Sequence, residues 1–295
     1  MKYKKLGNTD MEASILGFGC SRIASLTTKY SRYEIEKTLE LAFDQGINFF
    51  DTADIYGQGD SEKLLGKVFK QHRDNVLFCS KAGLTLSAPQ QCIRYVKPFL
   101  RPCLSYLSSV SRKTTAVRKQ IERQCFRESY IQKQIESSLK RLNTDYMDLF
   151  LLHNPPTEII ENSGIFEMLD NLKTKGMLRH YGVSCQEHED AWLCLKNNNI
   201  SCLQLDLDPL KIQKSGALLN KISHQGVGII ARECLKDHHL FSAQVDVSLP
   251  SGFQKKNYSS QQHALKYVLQ DNSINVVLVG MACRKHLIDN LAAIG

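Results

Sequence analysis

Eight short apolar runs, each handing over to an amphipathic stretch, leave a chain few ways to bury itself. The runs are Ile15–Gly19, Ile47–Phe50, Val76–Ser80, Met147–Leu152, His180–Val183, Cys202–Leu205, Val227–Ala231 and Asn275–Val279. Runs this short and apolar suit strands buried on both faces, and a helical pattern after each supplies the crossover that parallel pairing needs. Eight such units fit a closed (β/α)8 barrel, a TIM barrel of the α/β class, better than an open sheet. A barrel of this kind takes about 250 residues, so the 295-residue chain is expected to form one domain over residues 1–295.

The helical stretches carry their own punctuation. Ser31 and Glu34 form a capping box ahead of a helix whose apolar face is Ile35, Leu39 and Phe43, and Gly46 ends it. Ile131, Ile135, Leu139 and Leu142 repeat at helical spacing before the fourth run. Further helices are predicted over Gly164–Lys175, Glu187–Lys196, Gly216–His224, Ser259–Gln270 and Arg284–Ala293. Met1–Met11, with its Gly7-Asn8 turn, predicts an N-terminal β-hairpin plugging the barrel's N-terminal end. One connection breaks the rhythm. About 45 residues separate Lys81 from the helix starting near Arg127, where 2–6 are usual. This long loop between the third barrel strand and its helix leaves the strands' C-terminal face, where barrel enzymes keep their active sites.

Charge is concentrated in that loop. The chain's formal net charge is +8. Between Ala82 and Arg127 lie Arg94, Lys97, Arg101, Arg112, Lys113, Arg118, Lys119, Arg123 and Arg127, opposed only by Glu122. The remainder is near neutral, which argues against a nucleic-acid partner and for one local basic excursion, suited to an anionic substrate or an acidic surface. None of the ten cysteines forms a C-x-x-C pair, so no metal site is expected. Met1–Asp10 contains three lysines and no apolar segment, and no apolar stretch approaches the roughly 20 residues of a membrane span. A cytoplasmic protein with no membrane contact is expected; the oligomeric state stays open.

Three ionisable residues fall at the C-terminal tips of consecutive runs: Asp51, Lys81 and His153. Tyr56 follows Asp51 by five residues in Asp51-Thr-Ala-Asp-Ile-Tyr56-Gly57. Neighbouring parallel strands lie about 4.8 Å apart, so these tips can converge. A phenol of pKa near 10 is a poor acid at neutral pH. A buried ammonium beside it stabilises the phenolate, and an aspartate keeps that ammonium charged. The set then makes Tyr56 a general acid for a carbonyl oxygen, with His153 as a hydrogen-bond donor to the same oxygen. Taken singly, Asp51–Lys81 reads equally as a structural ion pair, and His153 as a core histidine.

At these residues the chain resembles the aldo-keto reductase superfamily. The Asp-Thr-Ala-x-x-Tyr-Gly run, Lys81 and Asp148-Leu-(x)3-His153 match its catalytic Asp, Tyr, Lys and His. Lys5-Leu6-Gly7-Asn8-Thr9, Leu16-Gly17-Phe18-Gly19, Ser138-Leu139-Lys140-Arg141-Leu142, Tyr181-Gly182-Val183-Ser184, and Gly280 followed by Asn290-Leu291 also look like that family, in its order. The likeness runs from about Lys4 to Leu291 and is weakest across the basic loop.

The resemblance implies an NAD(P)-dependent oxidoreductase that reduces an aldehyde or ketone to an alcohol, or runs in reverse on a sugar lactol or alcohol. Its partner would be a small-molecule substrate. The alternative it allows is a catalytically silent subunit that senses a nicotinamide cofactor and regulates a partner protein. Carried over by position, Ser184 and Gln204 hold the nicotinamide carboxamide, with Gly19 also on the cofactor side. Arg232 replaces an aromatic residue that often stacks on the nicotinamide. Cys234 and Leu235 offer backbone N–H groups to the pyrophosphate. Gly280, Met281 and Ala282 open the last helix, and Arg284, His286 and Asn290 reach the adenosine end. Arg284 and Lys285 point to NADP(H), with NAD(H) as the alternative. Two departures stand out: Cys185 occupies a position where the family usually has Asn, and Met281-Ala282 replace a polar or basic pair.

Overall fold

A computed structural model of the chain describes residues 1–24, 28–85, 123–161, 163–196, 199–236, 238–241 and 258–294. Strands β1 (Tyr3–Lys5) and β2 (Glu12–Ser14) pair antiparallel. Then come β3 (Leu16–Gly19), β4 (Phe49–Asp51) and β5 (Leu77–Ala82). A short ribbon, β6 (Leu84–Thr85) with β7 (Arg123–Gln124), follows. The remaining strands are β8 (Met147–His153), β9 (Leu178–Ser184), β10 (Cys202–Asp206), β11 (Gly228–Arg232) and β12 (Val276–Gly280). The strands β3, β4, β5 and β8 to β12 pair parallel with their sequence neighbours, and β12 closes on β3. The (β/α)8 barrel read from the eight apolar runs is the observed fold.

After the first, which ends at Gly19 as its run does, the barrel strands outlast the apolar runs by one or two residues at their C-terminal ends. Apolarity stops where a polar side chain must enter the barrel mouth, yet the backbone ladder continues through Asp51, Lys81, His153, Ser184, Asp206 and Arg232. Register then aligns the tips: Gly19 faces Asp51, His153 faces Ser184, Gln204 faces Ser184, Asp206 faces Arg232, and Gly280 faces Gly19.

The other end of the barrel is plugged by the N-terminal hairpin. Leu6, Met11 and Ala13 pack into the lumen against Phe49, Leu151, Ile230 and Leu278. The hairpin differs from its predicted bounds, because the return strand lies at Glu12–Ser14, beyond Met11. The segment between is a turn closed by the Leu6 N–H on the Met11 carbonyl at 2.9 Å and the Thr9 hydroxyl on the Leu6 carbonyl at 2.6 Å. Gly7 has φ +57°, and a side chain there would meet the Gly226 carbonyl at 2.5 Å, so this turn rests on backbone.

Helix α1 (Arg32–Asp44) carries the predicted capping box, Ser31 with Glu34, and buries Ile35, Leu39 and Ala42 on the barrel wall. Cutting the fully buried Leu39 to Ala would cost about 2–5 kcal/mol. Helix α2 (Asp60–Val68) was not apparent in the sequence, since it buries Ser61 and Glu62 along with Leu64 and Leu65, which blurs the apolar stripe. Helices α3 (Glu128–Leu142), α4 (Thr157–Ile160), α5 (Ser163–Thr174), α6 (His188–Cys194), α7 (Pro209–Lys214), α8 (Gly216–His224), α9 (Ser260–Leu269) and α10 (Arg284–Ala292) complete the described outer layer. Of these, α4 and α7 lack an apolar stripe; each is short, and α7, which buries only Pro209, is marked in the sequence only by its Asp208 cap and Pro209 at the first helical position. No described helix is long and apolar enough to cross a membrane.

The long loop predicted between Ala82 and Arg127 has a regular base, the β6–β7 ribbon, steadied by the Cys125 N–H on the Gly83 carbonyl at 2.8 Å. Residues 86–122, including Arg94, Lys97, Arg101, Arg112, Lys113, Arg118 and Lys119, lie outside the described residues.

Candidate active site

Asp51, Lys81 and His153 end adjacent strands, and each tip points into the barrel mouth because the ladder register puts them there. The Lys81 ammonium, 1 % exposed, lies 2.7 Å from Asp51 Oδ2 and donates to the Thr52 carbonyl at 2.8 Å. Burial alone would lower the lysine pKa; the Asp51 carboxylate, aided by Tyr56, raises it instead, so the ammonium stays charged. Asp51 is held from its other oxygen by Gln204 Nε2 at 2.9 Å, and Ser184 Oγ donates to Gln204 Oε1 at 3.0 Å. A single polar chain therefore runs across the mouth from Lys81 to Ser184.

Tyr56 enters from the loop after β4. The Lys81 Nζ sits 5.1 Å from its ring centroid, and the His153 ring meets it edge-on at 6.0 Å and 85°. The loop keeps this position through three consecutive left-handed residues, Gly57, Gln58 and Gly59, which lead straight into α2. Ala53, Ile55 and Leu84 pack against the tyrosine as an apolar wall. All four residues of the sequence-derived set thus meet in one place.

Behind Tyr56 lies a group that sequence reasoning missed. Asp54 donates its N–H to the Lys81 carbonyl at 3.0 Å, and its Oδ1 is buried without a hydrogen-bond partner among the described residues. Burial, together with the Glu62 carboxylate, pushes the Asp54 carboxyl up to about 8. Glu62 itself accepts from Ser80 Oγ at 2.6 Å and pairs with Arg141. Asp54 stands inside the Asp-Thr-Ala-x-x-Tyr run, where only its neighbours drew notice.

The second cluster spans the tips of β3 and β9 to β12. Arg232 is anchored at both ends of its guanidinium, by Asp206 Oδ1 at 2.7 Å from Nη1 and by the Cys185 carbonyl at 2.9 Å from Nη2. Asp206 also went unnoticed, although it follows Gln204 by two residues and so shares its strand face. Cys234 and Leu235 follow β11 in a turn begun by the left-handed Glu233. The Cys185 thiol is directed to Cys194; that hydrogen bond and burial raise its pKa well above the usual thiol range.

One expectation needs correcting. Gly280, Met281 and Ala282 do not open the last helix. Gly280 ends β12, Met281 and Ala282 are buried in the link, and α10 starts at Arg284 after an extended Cys283. Arg284, Lys285 and His286 are exposed at the helix start, while Asn290 is buried one turn further on. Lys285 is engaged by Asp289 at 2.6 Å, and His286 meets Tyr30 edge-on.

These residues suit a nicotinamide dinucleotide. Arg232 Nε is buried with no hydrogen-bond partner among the described residues, an orphaned donor that a bound group could satisfy. No side chain caps α10, which leaves its first N–H groups for a phosphate. Gly280 has nothing within 4 Å of where a side chain would start. Among the described residues no group of three or more His, Cys, Asp or Glu is placed to hold a metal.

Comparison with known proteins follows the same lines. The Aldo/keto reductase family model matches residues 15–295. L-galactose dehydrogenase from Arabidopsis thaliana is 26% identical over 318 residues, covering 100% of this chain and 88% of that protein. Among solved structures, the holo form of aldo-keto reductase AKR11C1 from Bacillus halodurans superposes with a TM-score of 0.72 at 23% identity, covering 100% of this chain and 91% of that one. An aldo/keto reductase from Klebsiella pneumoniae in complex with NADP and acetate gives 0.65 at 20% identity, covering 99% and 89% respectively.

Proposed function

The chain belongs to the aldo/keto reductase family, and from that premise we propose that it is a nicotinamide-dependent carbonyl reductase, or alcohol dehydrogenase in the reverse direction, with Tyr56 as general acid and base. The observation that carries this reading is the Lys81 ammonium, held 2.7 Å from Asp51 and 5.1 Å from the Tyr56 ring centre. A cation fixed there favours phenolate over phenol, which lets Tyr56 give up a proton to a carbonyl oxygen near neutral pH. His153, edge-on to the same ring, orients that oxygen by hydrogen bonding. The apolar wall of Ala53, Ile55 and Leu84 keeps water from competing for the proton.

A bound dinucleotide supplies the hydride. Ser184 and Gln204 would receive its carboxamide end, Arg232 would lie against the ring, and Cys234 and Leu235 would line the pyrophosphate. The uncapped start of α10, with Arg284, would take the adenosine end. Gly19, Met281, Ala282, His286 and Asn290 would border the same path. Arg284 favours NADP(H), in keeping with the NADP named in the Klebsiella complex. The substrate is a small carbonyl compound or alcohol; the relative named L-galactose dehydrogenase puts sugars first among those to try.

Purified protein incubated with NADPH and NADH against a panel of aldehydes, ketones and sugars tests this. Cofactor oxidation that depends on a carbonyl substrate supports it. Tight cofactor binding with no turnover on any member would favour the cofactor-sensing subunit instead.

A further inference from the structure

The strand tip after His153 carries an amide that no catalytic role explains. Asn154 has φ +52°, a left-handed conformation uncommon outside glycine though most tolerated by asparagine. It is tethered on both sides: its N–H donates to the Ser184 carbonyl at 2.9 Å, and its own carbonyl accepts from Gln124 Nε2 at 2.9 Å. The result is that its side chain is directed at Ser184, whose hydroxyl lies 3.5 Å from Asn154 Oδ1. The polar chain from Lys81 through Asp51, Gln204 and Ser184 therefore ends on a primary amide.

Position 185 has lost the amide that the family pattern expects, and the structure shows where Cys185 goes instead. Its thiol is turned to Cys194, its N–H donates to the Gln204 carbonyl at 3.0 Å, and its carbonyl holds Arg232. Nothing of Cys185 is left to meet a ligand beside Ser184. A nicotinamide carboxamide has one acceptor and one donor group, and an asparagine amide complements it with one of each.

We propose that Asn154 is a further nicotinamide-binding residue, its side-chain NH2 donating to the carboxamide oxygen in place of an amide at position 185. The inference rests on the reading that Ser184 and Gln204 receive that carboxamide. Asn154 is thereby a specificity residue, reading the carboxamide oxygen of the cofactor.

The test measures dissociation constants of NADP+ or NAD+, whichever binds more tightly, and of its thionicotinamide analogue, in which sulfur replaces the oxygen and accepts poorly. Asn154→Gly keeps the left-handed backbone without strain. Asn154→Asp keeps the side chain's shape but removes the donor. Both variants should bind the oxygen cofactor about three- to tenfold more weakly, the usual size of one neutral hydrogen bond. They should bind the sulfur analogue almost as the unmodified protein does, so the preference for oxygen shrinks by that factor. An unchanged preference in Asn154→Gly, whether both ligands weaken equally or neither does, overturns the inference. Failure of the unmodified protein to bind either natural cofactor would instead sink the underlying functional reading, and this inference with it.

Discussion

Lys81 holds its ammonium 5.1 Å from the centre of the Tyr56 ring while Asp51 grips the same ammonium at 2.7 Å. In the proposed role, the charge that would tune the phenol is thus itself stabilised by Asp51. Removing one partner of a buried ion pair strands the other, at a cost of about 3–5 kcal/mol. Asp51→Asn should lower unfolding stability on that scale in urea titrations. Tyr56→Phe should leave stability nearly unchanged, since its phenol is not part of the pair.

Asp54 gives stability a pH dependence. An unfolded aspartate titrates near pH 4, whereas burial beside Glu62 pushes the folded Asp54 up to about 8. Arg141, the Ile55 N–H and Lys81 pull the other way without reversing this. Between those values the folded chain holds a proton that the unfolded chain has lost. Its burial costs nothing below pH about 4 and progressively more up to about 8, so stability falls as pH rises through that window. Asp54→Asn should flatten the decline, raising the urea midpoint more at pH about 8 than at about 5. An equal change at both would mean that another group titrates.

Gly57 controls where Tyr56 stands. It has φ +58°, and a side chain there would meet the Ala24 carbonyl at 2.6 Å. Gly57→Ala must shift the loop, and small displacements of a reacting group are expensive. Turnover should fall about tenfold or more while cofactor titration stays close to normal. Loss of both together would point to collapse of the whole mouth.

If the proposed cofactor site holds, cofactor choice should turn on Arg284 more than on Lys285, because Lys285 is engaged by Asp289 within its own helix. A guanidinium binding the 2′-phosphate contributes about 1.5–3 kcal/mol. Arg284→Ala should weaken NADPH binding roughly ten- to a hundredfold and leave NADH nearly untouched. Equal affinity for both cofactors in the unmodified protein would count against this role.

Much of the barrel was legible because burial on both faces writes strands as apolar runs. The mouth was less so, since the ladder continues through Asp51, His153, Asp206 and Arg232 after apolarity has stopped. Asp51, Tyr56, Lys81 and His153 could be found from strand ends and a motif. Asp54, Asn154 and Asp206 sit beside them and were passed over, because their roles depend on what faces them across the barrel. Helix α2 was hidden by its buried Ser61 and Glu62, whose partners, Thr52 and Ser80, come from other strands and loops. The β6–β7 ribbon joins Leu84 to Gln124, a pairing that no local pattern encodes. The sequence pattern places the start of α10 at Arg284, as observed; only the family resemblance carries its opening back to Gly280, Met281 and Ala282, which form the end of β12 and a buried link.

Replacing Tyr56 by Phe, which removes one oxygen atom and leaves the ring in place, tests the central claim most directly. With any carbonyl substrate that the unmodified protein reduces, kcat in Tyr56→Phe should fall at least about a hundredfold, the usual scale for losing a general acid. The dissociation constant for the cofactor should barely change, because the phenol faces the reacting oxygen. Near-normal turnover in the Phe variant would contradict the account and leave Asp51–Lys81 as a purely structural pair.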